Sequence, residues 1–150
     1  MPVKDSERIW ERAKLFQIDD PTAESPFSAV LSEEMQWDKE FTDLAINEYK
    51  RFMVLSALFP DGNTTPSVHV DTVWHMHLLY TRSYHAFCND ALESEYLHHE
   101  PSKGGVSDVQ MHRDSYAETL ETYVRVFGVE PPREIWGARV RSELTAILTY

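Results

Sequence analysis

Cysteine is almost missing from the 150 residues: Cys88 is the only one, and an intramolecular disulfide takes two. No run approaches the roughly 20 consecutive apolar residues that span a bilayer. The opening Met1-Pro2-Val3-Lys4-Asp5-Ser6-Glu7 is polar, without the basic stretch and apolar core of a secretory signal. These absences predict a cytoplasmic protein in a reducing compartment. Bases are scarce as well, with 14 Lys and Arg against 25 Asp and Glu and a formal charge of −11. A field of that sign repels phosphate backbones and anionic lipid, and no Lys/Arg stripe offsets it, which speaks against nucleic acid and membrane as partners. Also missing are a Gly-rich phosphate loop, a Gly-x-Ser-x-Gly elbow and the His-Glu-x-x-His spacing. Phosphate binding and two common routes to hydrolysis therefore have no motif behind them.

What is present is an ordinary globular balance, 42% hydrophobic and 26% charged, in a chain long enough to bury roughly 70% of its unfolded surface in one domain. Apolar residues recur at helical spacing over Glu7 to Ile18, and again after Ser25-Pro26, which reads as an N-cap followed by a first-turn proline. Asp38 can cap a long helix whose stripe runs Phe41, Leu44, Ala45, Glu48, Phe52, Leu55 and Phe59, closed by Pro60-Asp61-Gly62-Asn63. A fourth helix is predicted from Val68 through Leu79, continuing or bending into Thr81 to Leu92, followed by a loop from Glu93 to Ser107. Ser107 can cap the next helix, which carries Tyr116, Leu120, Tyr123, Val124 and Phe127 and stops at Gly128. After the Pro131-Pro132 joint, Arg133 to Tyr150 gives a last amphipathic segment. Asp19-Asp20 and Glu33-Glu34 read as solvated charge. No repeat and no sustained strand-type alternation appears, so the expected fold is all-α: one domain over 1–150, an irregular bundle of about six helices.

All seven histidines fall between positions 69 and 112. Imidazole is the commonest protein metal ligand and the one side chain that titrates near neutrality, so such a cluster raises both metal and acid/base chemistry. At about 100° per residue, His75 and His77 point about 200° apart and cannot chelate one ion from a regular helix. Asp71 and His75, one turn apart, share a surface and can. A further ligand must come from the following loop, where His99 is preferred to His98, although spacing does not separate adjacent residues. His112 is an outer candidate, and His77 serves as a fourth ligand if the helix distorts. Each has a plainer alternative. Asp71 and His75 can be a hydrogen-bonded pair on a solvated face, and His77, beside Val70, Val73 and Trp74, can be a core histidine bonded to a carbonyl or water. His69 and His85 read as surface residues. The aromatic middle, from Trp74 to Tyr123, is explained by packing or by a pocket wall, and Cys88 by a fourth soft ligand or, more commonly, a lone buried thiol, which leaves it out of the site.

The run Pro66-Ser67-Val68-His69-Val70-Asp71-Thr72-Val73-Trp74-His75-Met76-His77-Leu78-Leu79-Tyr80-Thr81-Arg82-Ser83-Tyr84 resembles the Asp-x-x-Trp-His-x-His signature of the glycine-rich domain-containing protein-like family. Cys88, His98-His99-Glu100-Pro101, Lys103-Gly104-Gly105, Thr119-Leu120 with Tyr123, Phe127-Gly128, Pro131-Pro132 and Ile135-Trp136 extend the likeness over about residues 40–137. The glycine-rich tract that names that family is missing. The resemblance implies a helical domain but no established reaction or substrate.

Two functions of different class follow. One is a small metal-binding domain with Asp71, His75 and His99 as ligands, His77 as fourth ligand or support, and Zn²⁺ as the ion. The other is a metal-free interaction module for an unidentified protein partner, in which the cluster is a structural hydrogen-bond network. A metal-free acid/base enzyme built on Asp71 and His75 ranks last, because no electrophile-stabilising group can be named.

Overall fold

The computed structural model describes residues 5–62, 64–99 and 106–137, with the backbone alone for 106–109. Among the described residues seven α-helices follow in order: α1 (Ser6–Leu15), α2 (Phe27–Met35), α3 (Lys39–Leu58), α4 (Val68–Leu79), α5 (Thr81–Ala86), α6 (Val106–Phe127) and α7 (Arg133–Trp136). A π-helical turn, Phe87–Ala91, continues α5. Among the described residues there is no strand, and no helix is long and apolar enough to cross a membrane. The all-α expectation holds.

Local chemistry sets most helix ends. Asp5 accepts from the amides of Glu7 and Arg8, Asp38 from that of Phe41 at 2.8 Å, and Ser67 from that of Val70 at 3.1 Å, each satisfying a donor left over at a helix start. Gly128 closes α6 at φ 70, its amide donating to the Val124 carbonyl, a left-handed conformation that costs glycine little. Ser107 lies inside α6, which starts one residue earlier. Only Arg133–Trp136 of the last amphipathic segment is helical before Gly137; residues 138–150 lie outside the described part.

α2 is capped in another way. Pro26 holds its N-cap position without a side-chain bond, and Asp19, nine residues earlier, accepts from the Ser28 amide at 2.7 Å and its hydroxyl at 2.6 Å. Asp19 is thus a remote cap and not merely a solvated charge. Asp19→Ala is expected to lower stability by about 1 kcal/mol, measured by urea denaturation. Asp20→Ala should leave the midpoint nearly unchanged, because the Asp20 carboxylate bonds to Thr22 on an exposed turn.

α3 is the hub, packing against α1, α2, α4, α6 and α7, and so it is buried on almost every side, Tyr49, Phe52, Met53, Val54 and Leu55 completely. Its polar residues have specific work. Lys50 is nearly buried, and its ammonium donates to the Phe16 carbonyl at 2.6 Å and the Lys14 carbonyl at 3.3 Å. A cation there complements the C-terminal end of α1, while burial lowers the lysine's pKa. Glu48, also buried, accepts from the Tyr123 hydroxyl at 2.6 Å and the Trp136 indole at 2.9 Å, joining α3 to α6 and α7.

Candidate metal centre

The site begins with α4. Ser67 fixes its first turn, which puts Asp71, Trp74 and His75 on neighbouring positions of one side. The Asp71 carboxylate also sits near the helix N-terminus, where negative charge is favoured. The helix breaks at Tyr80, α5 restarts, and the π turn inserts its extra residue, sending Phe87, Cys88 and Ala91 into the core. Glu93, at φ 51, then turns the chain back. Arg8 grips Glu93 through two bonds, at 2.8 and 2.9 Å, and Arg12 through one at 3.0 Å.

Two anchors then bring the returning segment over α4. The Trp74 indole donates to the Tyr84 hydroxyl at 2.9 Å, and that hydroxyl donates to the Leu97 carbonyl. Two residues on, His99 Nε2 is hydrogen-bonded to Asp71 Oδ1. The His99 ring lies 4.3 Å from the Trp74 ring and stacks on His75 at 4.5 Å and 21°. Trp74 therefore does two jobs, forming the floor under His99 and holding the hydroxyl that positions Leu97.

Asp71, His75 and His99 each offer a ligand atom, and these atoms lie within 4.8 Å of one another. Asp71 Oδ2 and His75 Nδ1 are 3.8 Å apart, near the roughly 3.3–3.6 Å between donor atoms of a tetrahedral zinc site with arms of about 2.0–2.2 Å. Asp71 Oδ1 and His99 Nε2 are hydrogen-bonded to each other, so an ion held by both would replace that bond. Side-chain exposure rises from 14% at His99 through 35% at Asp71 to 67% at His75. The cluster is therefore walled behind and open to water in front.

The remaining histidines lie elsewhere. His77 faces the core and is fully buried, its Nδ1 bonded to the Tyr49 hydroxyl at 2.6 Å and its Nε2 to Ser83 Oγ at 2.9 Å. Burial, helped by the nearby Lys50 charge, pulls its pKa down to about 3. His98 is exposed beside Tyr96, and His112 and His85 are exposed. His69 is half-buried, edge-on to Trp37 and Phe41, which corrects its reading as a surface residue. Cys88 is a buried free thiol whose pKa burial raises. The roles of Tyr49 and Ser83 had no sequence signal, since both partners reach His77 from other helices or turns.

A protein-family model, UCP032817-like, matches residues 21–119. The matching family is not the glycine-rich domain-containing protein-like one, and that resemblance is corrected accordingly. Neither a curated protein nor a solved structure matches the chain.

Proposed function

We propose that this chain, which belongs to the UCP032817-like family, is a small helical metal-binding domain in which Asp71, His75 and His99 hold one divalent cation, with Zn²⁺ the best chemical match. The observation that carries this is the convergence of three ligand atoms within 4.8 Å from two separate chain segments. Two imidazoles and a carboxylate suit zinc better than magnesium or calcium, which prefer all-oxygen shells. His75 is the water-facing side of the cluster, and a zinc ion held by the three residues would supply Lewis acidity there. The protein's own contribution is positioning: Trp74 and the Tyr84–Leu97 bond hold His99, and α4 holds the other two.

Protein purified without a His-tag and supplemented with zinc is expected to carry about one equivalent, and a chelator should lower its melting midpoint. Asp71→Ala/His75→Ala should abolish both effects. Less than about 0.2 equivalents after supplementation, or unchanged content in the double variant, ends the proposal.

One observation favours a second reading. The bonds from Trp74 through Tyr84 to Leu97, and from His99 to Asp71, already tie the segment to α4 without an ion. The cluster would then be a structural lock within an interaction module for a protein partner. A chelator-insensitive melting curve with no bound metal is its signature.

A further inference from the structure

On the other side of α4 the buried His77 leads to a cleft of about 540 Å³, within the range of small-molecule sites. The cleft lies where the end of α1, the start of α2 and the α4–α5 joint meet, and its lining includes Phe16, Asp20, Phe27, Tyr80, Arg82 and Ser83. Phe27 and Tyr80 meet edge to face at 5.2 Å, giving an aromatic wall.

The hydrogen-bond direction behind this wall is fixed. The Tyr49 hydroxyl is completely buried, and its bond to His77 Nδ1 is the one it makes among the described residues. A buried hydroxyl proton without an acceptor is costly, so Tyr49 donates to Nδ1. In the neutral ring the proton is then on Nε2, which donates to Ser83 Oγ. Ser83 has its own hydroxyl proton left, and no acceptor among the described residues takes it. The same direction disfavours Ser83 as a nucleophile, because the nitrogen facing it already carries a proton. Arg82 is the cation in the lining. Asp20 is the anion, but it bonds to Thr22 and is exposed to screening water.

We propose that this cleft binds a small organic acid, its flat apolar body laid against the wall of Phe16, Phe27 and Tyr80 and its carboxylate taken by the Ser83 hydroxyl and the Arg82 guanidinium. The site is separate from the metal centre and does not depend on it.

The test is titration of the full chain with 3-phenylpropanoate and, separately, 3-phenylpropanamide, followed by amide NMR and calorimetry with zinc and with chelator. The acid should bind saturably, with shifts over residues 16–27 and 80–83, equally under both metal conditions. The amide, Ser83→Ala and Arg82→Ala should each weaken binding about tenfold. Arg82 is exposed, so its variant keeps the test valid if Ser83→Ala folds poorly. Absence of saturation by about 10 mM acid, equal binding of acid and amide, or shifts centred on Asp71, His75 and His99 would overturn the proposal.

Discussion

Glu48→Ala is expected to lower the free energy of unfolding by about 3–5 kcal/mol, the range for removing one partner of a buried charge pair and leaving the other without its counter-charge. Glu48 is 1% exposed, and its Oε1 accepts from both Tyr123 and Trp136. Its Oε2 lies 3.9 Å from Arg51 Nη1. That arginine donates to the Tyr123 hydroxyl at 2.6 Å, and its guanidinium carbon lies over Trp10 at 5.1 Å and Phe127 at 5.2 Å. Removing the carboxylate leaves two buried donors unsatisfied and a cation in an aromatic cage with no counter-charge. The cost comes from these orphaned groups more than from the pair's own attraction. Glu48→Gln keeps an acceptor oxygen for Tyr123 and Trp136 and should cost roughly half as much. Urea denaturation of both variants provides the check. A loss under about 1 kcal/mol for Glu48→Ala would mean that the network contributes only as an ordinary surface pair does.

Glu48 was visible in the sequence as the one acid on the apolar stripe of α3, a position where a charge needs partners. The partners were not visible, because Tyr123 and Trp136 come from segments 75 and 88 residues away. The same division runs through the fold. The α4 span from Val68 to Leu79 and the Asp38 cap of α3 are both legible in the sequence, because period and capping are local properties of the chain. Ser25 reads as the cap of α2 but does not act as one, since the Asp19 carboxylate reaches Ser28 across a loop. The π turn was likewise hidden, as its extra residue answers to core packing around Phe87 and Cys88. At the candidate centre, Asp71 and His75 followed from one helical turn. The placement of His99 beside them depends on Trp74, Tyr84, and the grip of Arg8 and Arg12 on Glu93, none of which spacing reveals.

Acidification should destabilise the fold through His77, and the loss should begin below about pH 6.5, the ordinary histidine pKa. The folded ring takes a proton only near pH 3. Between those values the unfolded chain binds more protons, so stability falls as pH falls, by up to about 1.4 kcal/mol per pH unit for one such group. The cause is chiefly burial: Phe16, Phe27, Tyr84 and Phe87 surround the ring, and the Lys50 charge opposes a second cation. Tyr49 adds to this, because its hydroxyl donates to Nδ1 and protonation there would set two donors against each other. His69, whose pKa burial also lowers, contributes in the same direction, and carboxylates join at lower pH. His77→Gln separates these contributions, for it can still bond to Tyr49 and Ser83 but does not titrate. Its stability at neutral pH should be lower than that of the parent, yet its loss between pH 6.5 and 4.5 should be smaller by about 2 kcal/mol. Urea midpoints measured across that interval decide the matter. Parallel curves for the two proteins would show that the ring's protonation is not coupled to folding.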